Sequence, residues 1–475
     1  MTAPRLLLAA VFLAAVATPV LCSVPDVLVN PLQGVSPRGG YLQGLPPSGG
    51  LQGLPSYQSP AIPQLSSHSS PLQVIFEWNA LSYNLPRYPT SLIEAYDPLG
   101  SIFTGLEFTP DRYFVAVPRL FPGVPSTLNY IPRNAAGVVS NPKLEPFPSI
   151  EWQSPTGADG ELANCSQLIS VYRVKVDRCN RLWVVDAGIV NSETVVCTPK
   201  LIAFDLTTGK PVRSMLFPSN VLKSGSLLTN IILDDEDSLH TGQCDNIFFY
   251  FNDDHDPAII VYDLAKDLVR RVSDLTMYPD PDFGNYETAG EKYKLMDGII
   301  GMALSPINTL GGRILYYQPM SQNNIYSVPT SALRDFSAGD EQELPVKLVG
   351  TKSSQGIGLA IDKESTLYFS PLTEIALGSY SAATGQHRTI AVDRERLQSV
   401  TDLQVDPADG SLYVFSTRFQ KYVAGTVNLN EINMRMIRFP REVLYPRGIE
   451  ALGNFKPLQN NFHGIYARST NVTTV

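Results

Sequence analysis

Among the residues of this sequence able to do chemistry, the carboxylates that open predicted hairpins come first. Asp297, followed by Gly298, and Asp402, beside Thr401, stand where strands begin. Each could turn towards a central channel and hold an ammonium group through a charge-assisted hydrogen bond. The other use of Asp at such points is to cap a turn or pair within its sheet. Asp177, Asp362 and Asp406 occupy the hairpin turns themselves and read as structural. The acidic runs LDDEDS (233–238) and NDDHD (252–256) lack the ligand spacing of a calcium loop and read as solvated loops. His68, His240, His255, His387 and His463 show no metal-pair spacing, so neither a metal site nor a cofactor is expected. The sequence holds no Ser-centred nucleophile elbow, no phosphate-cradling glycine loop and no dinucleotide fingerprint. A proton-transfer reaction would need a base within hydrogen-bond reach of its substrate, for which Asp297, Asp402 and His240 are candidates.

These residues are placed by a recurring hairpin. In VYRVKVDRCNRLWVVDAG (171–188), Val171, Arg173 and Lys175 alternate with Tyr172, Val174 and Val176, Asp177 to Asn180 supplies a turn, and Leu182 to Val185 is an apolar second strand. The pattern returns with second-strand aromatics at Tyr113, Trp183, Phe248, Tyr316, Tyr368 and Tyr413. Markers at roughly 45 to 70 residues match propeller blades of four strands with a few long loops. The expected fold is all-β, a six-bladed β-propeller. LQVIFEWNAL (72–81) precedes the first hairpin and MRMIRFP (434–440) follows the sixth, so these terminal strands are expected to share one blade and close the ring.

Residues 1–22 carry Arg5, an apolar run and small residues, and read as a secretory signal peptide. Residues 23–71 are rich in Pro, Gly, Ser and Gln and read as a disordered extension, either a tolerated appendage or a tail that embeds the protein in an extracellular matrix. The propeller spans 72–450, and 451–475 form a polar tail. The net charge of −9 and the lack of a basic cluster argue against nucleic acid, and no stretch is long enough for a membrane span. Beyond Cys22, four cysteines remain. Cys179 and Cys244 fall in first-to-second-strand turns of consecutive blades, on one face. Cys165 precedes a first strand and Cys197 follows a second strand, on the other face. The predicted disulfides are therefore Cys165–Cys197 and Cys179–Cys244. Sequons at Asn471 and Asn164 are candidate glycosylation sites.

The runs CNRLWVVDAG, LIAFDLTTGKPVRSMLFP, PRLFPGVPSTLNYI, PKLEPFPSIEW, YPDPDFG with DGIIGMALSP, LYYQPMSQNNIYSVPTSALRD and LQVDPADGSLYVFSTRFQKY resemble segments of the Yellow and major royal jelly protein family of insects, in the same order across about residues 72–450. The resemblance implies a secreted six-bladed propeller whose channel, in some members, binds small aromatic amines or catechols. It also implies roles in cuticle pigmentation, eggshell hardening, nutrition or dopachrome conversion. By the same resemblance the ligand-binding residues are Ile300 in DGIIG, Gln355 in KSSQ, and Thr401, Asp402, Thr417 and Phe419 in the last hairpin. Ile300 stands where many relatives have Phe, which weakens ring stacking by roughly 0.5–1.5 kcal/mol. Thr417 stands where many have Asn, and its hydroxyl has less reach.

Three readings follow. The first is a secreted, non-enzymatic protein of cuticle, eggshell or another extracellular layer, binding a small aromatic amine or catechol and possible matrix proteins. The second is a dopachrome-converting enzyme of melanin synthesis. The third is a carrier of biogenic amines.

Overall fold

The structure is a computed structural model that describes residues 72–85, 96–133, 139–155, 162–235, 242–338 and 343–446. Several expectations lie outside these residues: the signal peptide, the 23–71 extension, the 451–475 tail, Asn471, and the histidines at 68, 240 and 463.

The local rule of the chain is clearest in the second blade. Val171–Val176 pairs antiparallel with Arg181–Asp186 across a turn in which Asn180 takes a φ of 60°. The Asp177 carboxylate accepts hydrogen bonds from the backbone N–H of Cys179 and of Arg181, both at 2.9 Å, and from the Trp183 indole at 2.7 Å. One side chain thus fixes the turn and the aromatic of the following strand. Asp362 repeats this with the Thr366 N–H and the Tyr368 hydroxyl, at 2.9 and 2.7 Å. Asp406 accepts from the Ala408 N–H and the Arg133 guanidinium. These aspartates are structural, because a buried carboxylate in a tight turn is satisfied by the donors the turn itself exposes.

Six such units form six sheets of four or more strands. Blade 1 is Gly105–Phe108, Arg112–Ala116, Leu128–Pro132 and Glu145–Pro146. Blade 2 adds Lys200–Asp205 and Pro211–Leu216 to the hairpin above. Blade 3 is Ile231–Asp234, Phe248–Asp253, Ala258–Asp263 and Leu268–Val272. Blade 4 is Ile299–Leu304, Ile314–Pro319, Asn324–Pro329 and Lys347–Thr351. Blade 5 is Leu359–Ile361, Thr366–Phe369, Ala376–Ser381 and His387–Val392. All six aromatic markers sit on second strands.

Blade 6 closes the ring. Ser399–Val405, Leu412–Thr417 and Met434–Phe439 come from the end of the chain, and Gln73–Trp78 from its start supplies the fourth strand, with Trp78 opposite Met434. Val139–Ser140 adds a short parallel strand outside it. The expected closure is therefore observed.

The core lies between blades. Trp183, Phe249, Phe251 and Ile260 fill the space between blades 2 and 3, with the Trp183 and Phe249 rings 4.7 Å apart. Phe76, Trp78, Phe103, Tyr113 and Phe415 do the same between blades 6 and 1. Each sheet buries its faces on its neighbours, so no blade is stable alone.

Both disulfides form as expected. Cys165–Cys197 and Cys179–Cys244 have Cα atoms 5.5 and 5.8 Å apart. The second joins the first-to-second-strand turns of blades 2 and 3. Two disulfides place the folding of this chain in an oxidising compartment. No described helix is long and apolar enough to cross a membrane.

The acidic runs need correction where they are described, at 233–235 and 252–256, since several of their carboxylates are buried and not solvated. Asp234 is buried and pairs with Arg313 at 2.9 Å and with Arg334. Asp253 is fully buried and is met by Arg271 at 2.8 Å, the Leu227 N–H at 3.0 Å and the Ser226 hydroxyl. Asp254 is only 3 % exposed. These carboxylates sit at strand ends packed against other parts of the ring, Asp234 against blade 4 and Asp253 against the last strand of its own blade, where water is replaced only by specific partners.

Candidate functional site

Antiparallel strands alternate in direction. The connections into each first strand and the second-to-third-strand loops therefore share one end of the ring, called here the mouth face. The inner wall below it is made by first strands, and their charged residues face one another. Arg173 in blade 2 donates to the Ile300 carbonyl of blade 4 at 2.9 Å and to the Thr401 carbonyl of blade 6, and its Nε lies 3.4 Å from the Asp402 carboxylate. Asn230 in blade 3 also donates to the Ile300 carbonyl, at 2.8 Å. Lys175 and Glu107 pair at 3.2 Å between blades 2 and 1. Burial raises the Glu107 carboxyl above its usual range against the pull of Lys175. The 5 % exposed Arg173 thus braces three blades across the axis. Its presence was open to inference, because a charge in an innermost strand must find partners across the ring.

Over the mouth face lies an element missing from the sequence reading. Asn285–Thr288 and Glu291–Lys294 form a two-stranded hairpin between the last strand of blade 3 and the first of blade 4. It reaches across blades 4, 5 and 6 as a strap. Tyr286 hydrogen-bonds Ser321 of blade 4 at 2.8 Å. Gln355, at the start of blade 5, donates to the Phe283 and Asn285 carbonyls at 3.0 and 2.9 Å. Thr426 donates to Glu291 at 2.8 Å, and the Tyr293 ring meets Phe419, in the short helix Phe419–Ala424 of blade 6, edge-on at 6.4 Å. Tyr286 and Tyr293 stack at 5.0 Å, and together with Met320, Ile357 and Leu372 they form an apolar cluster against which Ile300 and Phe419 pack. The signal was legible: NYET-AG-EKYK alternates around a two-residue turn with Ala289 and Gly290 at φ 52° and 88°.

Beside the strap, the second-to-third-strand loop of blade 3 meets the connection into blade 4. Asp254 and Asp297 come together there, with His255 exposed next to them. Gly298 permits the approach, since a Cβ there would lie 2.6 Å from the Asp254 carbonyl oxygen. Burial, with the adjacent Asp297 and Asp253 charges, raises the Asp254 carboxyl well above the usual range. Burial also raises Asp297, opposed by His255.

The residues expected at the site divide into two groups. Ile300 and Phe419 meet under the strap, with Gln355 holding its base. Thr401 and Thr417 lie in the last hairpin with buried hydroxyls directed at the Phe415 and Ser399 carbonyls, at 3.5 and 3.4 Å. Asp402 accepts from the Leu106 and Leu403 N–H groups at 2.8 and 2.9 Å and faces Arg173, so it acts as a brace between blades. Asp297 stands at the rim, half-buried. Asn164 is exposed. In the KSSQ segment, Lys352 is 2 % exposed, its amine has no partner among the described residues, and burial lowers its pKa to about 7. A groove of about 250 Å³ lined by Ile189, Pro199, Leu222 and Ser226 lies off the axis, between blades 2 and 3, and includes none of the expected site residues.

With this geometry in place, comparison with known proteins decides the family. The major royal jelly protein family model matches residues 169–444, more than half of the chain. The chain belongs to the major royal jelly protein family. Within this family, major royal jelly protein 1 of Apis mellifera is 28% identical over 77% of this chain and 86% of its own length. A protein named dopaminechrome tautomerase, from Drosophila melanogaster, is 26% identical over 80% of this chain and 84% of its own. Protein yellow of Drosophila erecta is 28% identical over 81% of this chain and 71% of its own.

Proposed function

We propose that this major royal jelly family protein is secreted and acts in an extracellular layer such as cuticle or eggshell, binding a small aromatic amine or catechol at the strapped mouth of its propeller. The observation that carries this reading is the strap. It sets the stacked Tyr286–Tyr293 pair and Phe419 around Ile300, so aromatic faces surround the position where the sequence lacks one. An aromatic guest gains offset and edge contacts from such walls. Because the cluster is filled when the strap is down, a ligand enters by lifting the hairpin from the Phe419–Ala424 helix. Two disulfides and the apolar N-terminal run support secretion. The Pro/Gly/Ser/Gln segment before residue 72 supports a matrix partner.

The test is calorimetric titration of purified mature protein with dopamine and with serotonin. Saturable binding is expected, weakened roughly tenfold by Phe419→Ala, the equivalent of about 1.4 kcal/mol. Absence of saturable heat with either compound would sink the reading. A second reading, conversion of dopachrome, is favoured by the similarity to the protein named dopaminechrome tautomerase. It predicts faster loss of quinone absorbance than in buffer, slowed by the same Phe419→Ala substitution, and it fails if the rate equals that of buffer.

A further inference from the structure

We propose that Asp254, His255 and Asp297 form a binding site for a divalent transition-metal ion of the zinc or manganese class at the rim of the channel mouth. This inference is independent of the ligand reading above.

Its first support is convergence. Three potential donor atoms, one carboxylate oxygen from each aspartate and one imidazole nitrogen, lie within 4.8 Å of one another. They come from two blades. The second support is an unmet electrostatic need. Asp254 is only 3 % exposed, yet its Oδ1 has no hydrogen-bond partner among the described residues. Among the described ion pairs none includes Asp254 or Asp297, whereas the adjacent Asp253 is met by Arg271, Ser226 and the Leu227 N–H. A buried carboxylate ordinarily has a cation or several N–H donors. Here a second carboxylate faces it instead, and a divalent ion between the two satisfies both.

The framework is rigid in the way a metal site requires. The Asp254 N–H donates to the Leu227 carbonyl at 2.9 Å, and the Gly298 N–H donates to the Asp254 carbonyl at 3.1 Å. Asp297 is held from both sides of its peptide: its N–H donates to the Ser321 hydroxyl at 3.0 Å and its carbonyl accepts from the Ser321 N–H at 3.0 Å. The same Ser321 hydroxyl bonds Tyr286, linking the site to the strap. The backbones that carry both carboxylates are therefore fixed before binding, and only the side chains have to orient on the ion.

Donor type selects the ion. Calcium and magnesium take oxygen ligands, while two carboxylates and an imidazole suit zinc or manganese. Three protein ligands leave at least one coordination position, and the exposure of His255 turns that position towards solvent at the mouth.

The experiment uses the complete mature protein, stripped with EDTA and returned to metal-free buffer. Zinc chloride and manganese chloride are titrated separately by calorimetry, and thermal unfolding is recorded with and without each ion. Binding of one ion per chain and a rise in Tm with ion concentration are expected for at least one of the two. His255→Ala, at an exposed side chain, should weaken that binding roughly tenfold or more, and Asp297→Asn should remove it. Cooperative unfolding without metal checks that each variant is folded; should Asp297→Asn fail that check, His255→Ala decides alone. Absence of one-to-one binding by both ions overturns the proposal. So does binding that His255→Ala leaves unchanged, which would place the ion elsewhere.

Discussion

Arg173 and Lys352 are two buried cations of this propeller with opposite solutions. Arg173 reaches two carbonyls and a carboxylate across the axis, and its cost of burial is offset by partners on two other blades. Lys352 has none: its backbone is tied to Asn323, and its amine is enclosed without a counter-charge. Its folded pKa of about 7 lies below the ordinary lysine value of 10.5. The unfolded chain therefore binds the proton more tightly, and stability should rise as pH rises from about 7 towards 10.5. Below about 7 the penalty is complete. Lys352→Met is expected to flatten that slope and to raise the unfolding free energy at pH 7 by about 2–4 kcal/mol, at ~1.4 kcal/mol per pH unit of linkage. Urea unfolding at pH 7 and pH 9.5 measures it; a variant that keeps the wild-type slope would show that the amine is not the source.

The strap illustrates what a local pattern can and cannot reveal about an element. Its alternation and its Ala-Gly turn mark NYETAGEKYK as a hairpin, but nothing local says that it lies across three blades. That placement depends on Ser321, Gln355, Phe419 and Thr426, which are scattered over more than a hundred residues. The turn is also imperfect. Ala289 holds a left-handed φ of 52°, which costs a β-carbon-bearing residue roughly 1 kcal/mol, and Asn tolerates it better. Ala289→Asn should therefore slow amide exchange in 285–294 about fivefold, corresponding to ~1 kcal/mol, while exchange in the blade cores stays as it was. Unchanged exchange in the strap would mean that its opening is not limited by the turn.

At the scale of the molecule, stability depends on closure. Gln73–Trp78 contributes Phe76 and Trp78, buried to 1% and 0% exposure, and covers the edge of Met434–Phe439. A chain beginning at Asn79 would expose that edge and open the contact between blades 6 and 1. It should aggregate and lose its cooperative thermal transition, seen by size exclusion and calorimetry, whereas a chain beginning at Leu72 should keep both. Retention of a sharp transition without the strand would show that the latch is dispensable.

The order of blades, the latch and both disulfides were readable because they follow from period-2 patterning, turn aspartates and topology, all carried by the order of residues along the chain. The aspartates at 177, 362 and 406 read correctly for the same reason, since the turn donors that each accepts from lie within six residues of it. Asp253 and Asp254 did not, and the partners of Asp402 were not legible. Whether such a carboxylate meets water, an arginine or another carboxylate depends on which distant segment of the ring is pressed against it. Asp402 finds Arg173 from blade 2 and Leu106 from blade 1, and Asp254 finds Asp297 from blade 4. Those meetings join residues 43 to 296 positions apart, and at such separations sequence alone carries no distance, so only the closed ring decided them.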